Sequence, residues 1–391
     1  MPKRAPVCGG GARVTVDPIR VAFGTSVLAQ GLQRHELDGI GHYSRELLEC
    51  FRTQDAIHAV PFTFGDAAPS QLLPSPVDVG RYQRQAALGI VMGRSFSGFA
   101  ALEENVDLVH ATDHMVPRLG NTPVVATLMD AIPLSHPEWV GYRFKKLKNA
   151  LWRRSFGWAD RILTISHYSR QEIVRHFGIP AERIDVIPLG VNPRWFNAPT
   201  PHEAEAVAAQ YRLPAQYFLF IGTLQPRKNL LHLLESHAAL PTAVRRACPL
   251  IVVGRAGWGC DEEVRRLSAA DPAELRWLNY VADKDLPVIL GLSRALVFPS
   301  LAEGFGLPIL EAFAAGTPVI ASNTSSIPEV AGDAALLVNP ADREALTQAM
   351  LRISREDGLV QELSSRGAAR ARTFSWERTA AETLSSYRKL L

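Results

Sequence analysis

The chain of 391 residues has only four cysteines, Cys8, Cys50, Cys248 and Cys260. No two of them stand at a spacing that binds a metal or marks a disulfide framework. A reducing compartment, and so a cytoplasmic location, is expected. No run of apolar residues is long enough for a membrane-spanning helix. Lys3 and Arg4 lead into no apolar h-region, so a secretory signal peptide is not expected. Charge of one sign is also scarce. The 42 basic and 39 acidic residues leave a net charge of +3, with a pI near 8.7, which is too mild to argue for nucleic acid. No Gly-x-Gly-x-x-Gly follows a strand, which argues against a nicotinamide-dependent oxidoreductase. Gly9-Gly10-Gly11 precedes the first good strand and reads as part of a disordered leader over residues 1–18.

What is present is alternation. A composition that is 47% hydrophobic can bury a large core, and the length is generous for one domain. Short apolar runs read as strands at Ile19–Phe23, Val106–His110, Val124–Leu128, Arg161–Ile165 and Ile184–Ile187. Helical segments are expected at Gly41–Phe51, 143–157 and 167–177. A polar, proline-punctuated stretch from Asn192 to His202 reads as a linker. Strands then resume at Tyr217–Ile221, Leu250–Val253, Arg276–Val281, Ala295–Phe298, Pro318–Ala321 and Ala335–Val338, and Ser375–Leu391 reads as a last helix. The pattern predicts two doubly wound α/β domains with parallel sheets, 19–195 and 196–374, and a ligand cleft at the carboxyl ends of their strands.

One stretch concentrates chemistry. Arg294–Pro299 is a β-type run, and Ser300-Leu-Ala-Glu303-Gly-Phe-Gly-Leu-Pro308 turns out of it into an apolar helix ending the motif at Glu311. Proline is tolerated in a first helical turn, where the N–H has no partner. Gly304 and Gly306 let the backbone approach a ligand, and the turn amides with the helix dipole make an anion site. Eight residues separate Glu303 from Glu311, about 80° around a single straight helix. With Glu303 in the loop and Glu311 one turn into the helix, both reach one ligand from different sides. An isolated pair at this spacing would be a turn residue and a solvated helix residue; the inserted glycines and the preceding strand shift the reading to a sugar nucleotide. Further upstream, Arg227 and Lys228 stand between a strand and a helix. The helix dipole disfavours cations there by a few tenths of a kcal/mol, and a diphosphate would justify them.

Glu303-Gly-Phe-Gly-Leu-Pro through Glu311-Ala-Phe-Ala-Ala-Gly-Thr-Pro-Val-Ile-Ala resembles the donor-site signature of glycosyltransferase family 4. Phe220-Ile-Gly-Thr-Leu-Gln-Pro-Arg-Lys-Asn-Leu230, Val186-Ile-Pro-Leu-Gly-Val191 and Asp38-Gly-Ile-Gly-His-Tyr-Ser-Arg-Glu-Leu47 are similar to further family segments in the right order. The resemblance implies the GT-B fold, two Rossmann-like domains facing a central cleft, with the helix 375–391 returning to the N-terminal domain. It implies a retaining hexosyltransferase with no cofactor and no metal. Its donor side would be Gly222, Arg227, Lys228, Val281, Glu303, Gly304, Phe305, Gly306, Leu307 and Glu311. Glu311 would take the ribose hydroxyls, Glu303 the transferred sugar, and the Tyr280–Asp283 segment the nucleobase through its backbone. Tyr280 itself reads as core packing. One departure is Thr223, where many relatives have arginine; Arg227 is the candidate to replace that charge.

On the acceptor side the candidates are Gly39, Gly41, His110 and Asp130. Asp130 ends a strand at Thr127-Leu-Met-Asp, and Met129 occupies a position where relatives commonly carry histidine. Asp130 could equally cap the following turn, and His110 could be structural. His42, Ser166 and Ser169 are weaker cleft candidates, each readable as a cap. The catalytic set is thus Glu303, Asp130, Lys228 and Arg227. The form of the basic-pair segment resembles polysaccharide and lipopolysaccharide assembly enzymes, so GDP-mannose is the expected donor, with rhamnose, glucose or N-acetylglucosamine nucleotides as alternatives. The expected acceptor is a glycan or lipid-linked saccharide. A sugar-nucleotide epimerase or a non-catalytic sugar-nucleotide-binding partner are the rival readings.

Arg143–Arg154 holds six basic residues and no acidic one. Phe144, Leu147 and Leu151 make one helical stripe. Such a helix fits an anionic surface on the inner face of the cell membrane; the competing expectation is a stripe packed into the core.

Overall fold

The computed structural model describes residues 17–34 and 36–391. The leader expected over residues 1–18 lies, but for Asp17 and Pro18, outside them. Short apolar segments build two wholly parallel sheets. The first contains β1 (Ile19–Gly24), β2 (Ile57–Thr63), β3 (Val77–Asp78), β4 (Leu108–Ala111), β5 (Val124–Thr127), β6 (Arg161–Thr164) and β7 (Ile184–Val186), in the order β3-β2-β1-β4-β5-β6-β7. The second contains β8 (Phe218–Ile221), β9 (Leu250–Val253), β10 (Leu275–Leu278), β11 (Ala295–Phe298), β12 (Val319–Ser322) and β13 (Leu336–Val338), in the order β10-β9-β8-β11-β12-β13. Helices connect nearly every successive pair. The central strands are buried throughout, as a parallel sheet covered on both faces requires.

Sequence reading missed β2 and β3. Ile57-His-Ala-Val-Pro-Phe-Thr63 contains Pro61, which speaks against an interior strand. The structure accommodates it because β3 pairs with β2 only at Phe62 and Thr63.

In each sheet the strand order reverses direction at one place, between β1 and β4 and between β8 and β11. Ligands of such sheets bind outside the carboxyl ends of the strands at that reversal. The segments that follow β8 and β11 are Gly222–Lys228 and Pro299–Gly306, so the topology itself brings the basic pair to the glycine-rich loop.

The two units share a continuous apolar cluster that runs from Phe23, Leu47 and Leu163 through Leu189, Val191, Trp195 and Trp376 to Phe298, Phe305 and Phe313. The last helix, Trp376–Arg388, returns to the first unit as expected. Its Tyr387 meets Phe51, Thr379 donates to the Pro188 carbonyl, and Ser386 and Lys389 bind Asp185. The return crosses the interdomain segment at Gly190. A Cβ there would lie 2.2 Å from the Trp376 nitrogen, so the glycine of Val186-Ile-Pro-Leu-Gly-Val191 is a matter of backbone meeting backbone.

Candidate active site

Beyond the end of β8, Gln225 and Pro226 lead into one tight turn, and the chain donates from Lys228 N to the Gln225 carbonyl. Leu301 N donates to the Arg227 carbonyl at 2.8 Å, which locks the basic turn to the loop after β11. The result is an ionic cluster in which Glu303 and Lys228 are buried and Arg227 is partly buried. Lys228 Nζ donates to Glu303 Oε1 at 2.6 Å, and Arg227 donates to Glu303 Oε2 and to the Ala302 carbonyl. Lys228 also lies 4.8 Å from the ring centroid of Phe298, and its methylenes border Gly222. Burial alone would raise the Glu303 pKa, but Lys228 and Arg227 outweigh it and hold the carboxylate down to about 2. Burial lowers the Lys228 pKa against the pull of Glu303.

The loop above this cluster is oriented by hydroxyls. Ser326 Oγ donates to the carbonyls of Glu303 and Phe305 at 2.8 and 2.9 Å. Ser166 and Ser169 donate to the Gly304 carbonyl at 2.7 and 3.2 Å. In a trans peptide the carbonyl and the next N–H point opposite ways. The amides of Gly304, Phe305 and Gly306 are therefore turned away from the serines. Gly306 takes φ +113° and begins the helix Leu307–Ala314, with Pro308 in its first turn. Leu307 is partly buried at the mouth of this turn, while Phe305 is buried against Phe374.

Across the cleft, the Gly304 loop lies directly on the loop after β5. A Cβ on Gly304 would come within 3.0 Å of the Met129 carbonyl and 3.2 Å of Asp130 Cβ. Asp130 does cap its turn, Oδ1 accepting from Ile132 N at 3.0 Å. It is also raised in pKa by burial, with Arg227 opposing and Glu303 reinforcing, so two of the cluster's three charges act on it. The capping reading of Asp130 thus describes its hydrogen bond. Glu329 closes the same face by accepting from His167 N and Tyr168 N, at 2.8 and 2.7 Å, at the start of the helix His167–Phe177.

Glu311 sits one turn into its helix, where loss of solvation raises its pKa to about 7 in spite of the nearby Arg194. Arg194 itself pairs with Asp283. Val281 is buried beside them. Tyr280 does not pack in the core as expected: it is 62% exposed, with the Arg255 guanidinium 5.2 Å from its ring centroid. Strand β10 stops at Leu278, so the side chain falls in the loop beyond it.

The acceptor-side candidates divide. Gly39 and Gly41 open the helix Gly39–Arg52, where Asp38 caps the Gly41 amide. A Cβ at Gly39 would meet nothing within 4 Å, whereas one at Gly41 would press on Leu37 at 3.1 Å. His42 lies on this helix start in the field of Asp283 and Arg194. His110 faces the core, a correction to its placement in the cleft. It is fully buried, with Nδ1 2.6 Å from Tyr387 Oη and Nε2 2.8 Å from Thr127 Oγ1. Burial lowers its pKa to about 3, so it stays neutral and joins the last helix to β4. Ser326 and Glu329 went unnoticed in the sequence. Their only local signal is a Ser-Ser-Ile-Pro-Glu segment that resembles any helix start.

Two family models match the chain. "Glycosyltransferase Family 4" covers residues 37–195 and "Glycosyl transferases group 1" covers 206–370. O-antigen chain mannosyltransferase B of Escherichia coli is 40% identical over 262 residues, 66% of this chain and 67% of that protein. Serotype-specific mannosyltransferase WbdA of Escherichia coli is 29% identical over 239 residues, 60% of this chain but only 29% of that protein. Sucrose-phosphate synthase from Thermosynechococcus elongatus superposes with a TM-score of 0.72 at 20% identity, covering 95% of this chain and 99% of that one, which shows the shared fold. With two parallel sheets, a returning last helix and these matches, the chain belongs to glycosyltransferase family 4 and is a hexosyltransferase of the GT-B fold.

Proposed function

We propose that the protein transfers mannose, with retention of configuration, from GDP-mannose to a hydroxyl of a glycan or lipid-linked saccharide. The observation that carries this reading is the Arg227–Glu303–Lys228 cluster at the glycine-rich loop, set against Asp130. Cations and amides fixed before the reaction stabilise a leaving diphosphate without reorganising. Arg227, Lys228 and the Gly304–Gly306 amides take that part. Glu303, held ionised and clamped between the cations, accepts from hydroxyls of the transferred hexose. Glu311 accepts from the ribose, and the backbone around Val281 meets the base. Asp130 faces the acceptor. The leaving phosphate takes the acceptor proton on the face where the new bond forms. The mannose assignment draws on the relatives, which are named as mannosyltransferases.

The basic helix supports an acceptor held at a membrane. It spans Lys145–Phe156, and the core stripe anticipated as one alternative is absent: Phe144, Leu147 and Leu151 are 73%, 61% and 41% exposed. Apolar side chains standing out among lysines suit an anionic lipid surface. Among the described residues no helix is long and apolar enough to cross a membrane.

Incubation with a panel of radiolabelled sugar nucleotides, with and without membrane lipid extract, tests the proposal. Label moving from GDP-mannose into extract, undiminished by EDTA, is the expected result. Isomerised donor would instead establish an epimerase, and binding without turnover a non-catalytic partner.

A further inference from the structure

The segment that follows β9, Gly254-Arg-Ala-Gly-Trp-Gly259, lies against the basic turn. Leu224 N donates to the Arg255 carbonyl and Gly257 N to the Leu224 carbonyl, both at 2.9 Å. A Cβ at Gly259 would press on Pro226 at 3.1 Å. Trp258 is thereby held beside the diphosphate cluster, yet its side chain leaves the domain. It is 41% exposed, and its indole N–H donates across the cleft to the Trp139 carbonyl at 2.6 Å. Gly141 passes so close that a Cβ would lie 3.2 Å from the indole. On that opposite side, His136 and Trp139 are stacked at 3.9 Å and 16°, nine residues or fewer beyond Asp130. The same loop is tied to the basic helix, through Lys145 Nζ on the Pro137 carbonyl at 2.7 Å and Lys148 over the Tyr142 ring.

Three flat rings from two domains thus meet across the cleft, on loops bonded to the basic turn on one side and to the basic helix on the other. Nothing in the donor chemistry uses them. Ligand sites occur preferentially at domain interfaces and are lined by aromatic side chains. A hexose is the ligand that suits them: its ring has a face of C–H groups that packs on the negative face of an aromatic ring, while its edge hydroxyls stay hydrated or bonded.

We propose that Trp258, with Trp139 and His136, forms a subsite that stacks a hexose ring of the acceptor glycan. The subsite fixes an acceptor residue next to the transfer point and lies on the path from the basic helix to Asp130. This inference rests on the glycosyltransferase reading above and names the acceptor as a saccharide of more than one ring. Because Trp258 bonds across the cleft, the rim completes only when the domains are together.

The test separates stacking from simple latching. Trp258→Ala should raise the acceptor KM about tenfold, the factor that about 1.4 kcal/mol of lost contact produces, with donor KM unchanged. Trp258→Phe loses the N–H bond but keeps a ring face, and should recover most of the acceptor affinity. Titrating the wild-type protein with mannotriose should quench and shift the tryptophan fluorescence, and Trp258→Ala should lose that change. If Ala and Phe are equally impaired and donor KM rises with them, Trp258 is a latch between the domains and the subsite is refuted. Normal transfer with unchanged acceptor KM in Trp258→Ala refutes it too. A wild type that moves no hexose from any sugar nucleotide, yet binds mannotriose through Trp258, defeats the functional reading and leaves the rim standing.

Discussion

Glu303 and Glu311 are one helical turn and one loop apart in sequence, yet the fold drives them to opposite ends of the carboxylate range. The buried Lys228 and the partly buried Arg227 hold Glu303 at about 2, while loss of solvation lifts Glu311 to about 7. A carboxyl raised to about 7 is neutral below that pH and becomes a pure acceptor above it. Affinity for a nucleoside diphosphate should therefore rise as pH climbs through about 7, and Glu311→Gln should flatten the dependence. Calorimetry across that window decides it, and an unchanged slope in Glu311→Gln would remove the residue from the ribose. Lys228→Ala should cost the intact nucleoside diphosphate about 1.5–3 kcal/mol of binding and leave the bare nucleoside almost untouched. Equal losses for the two ligands would place Lys228 away from the diphosphate. These charged residues were legible in sequence because their type and spacing are unusual for helix starts. Tyr280 was not legible: an aromatic after an apolar run looks like core, and only the early stop of β10 puts it in solvent.

Among elements, the strands could be read because a parallel sheet writes itself as short apolar runs, and all eleven that were read are present, their ends within two residues of the expected ones except for the end of β10, which comes three residues early. What periodicity does not encode is which side of a helix meets the protein. The stripe of Phe144, Leu147 and Leu151 has the spacing of a core face and points outward. Nor does sequence show where two backbones meet. Gly190 is such a place, and Gly190→Ala should cost about 1–3 kcal/mol of stability through overpacking against Trp376. Gly358, inside the helix Asp357–Ala371 with open space where its Cβ would be, makes the contrast. Gly358→Ala should stabilise by about 0.5–1 kcal/mol. Thermal unfolding of the two variants side by side checks both signs; equal shifts would mean the crossing is looser than its geometry.

For the molecule as a whole, the loop that carries the aromatic rim is tied to the basic helix through Lys145 on the Pro137 carbonyl and Lys148 over the Tyr142 ring, so the proposed membrane contact and the proposed subsite can be tested together. Replacing Lys146, Arg153 and Arg154 with Glu should release the protein from anionic vesicles while leaving transfer to a soluble acceptor intact, since each basic residue at such a surface contributes roughly 1 kcal/mol. Sedimentation at low salt reads this directly; a wild type that stays in solution would make the exposed stripe a site for something other than lipid. The cross-cleft bonds of Ser166, Ser169, Glu329 and Trp258 join residues more than a hundred positions apart and exist only through the relation between the domains, so no local pattern could announce them. The chain passes between the domains twice, once at residues 187–192 and once before Trp376, and the two passages meet along a short run: Gly190 against Trp376, Val191 N on the Phe374 carbonyl, and Thr379 on the Pro188 carbonyl. Two passages of chain bonded to each other where they cross cannot slide past one another without breaking those bonds. The last helix thus fastens the crossing from outside, and a chain shortened before Ser375 should lose that fastening together with Trp376, Ala380, Leu384 and Tyr387 from the shared apolar cluster.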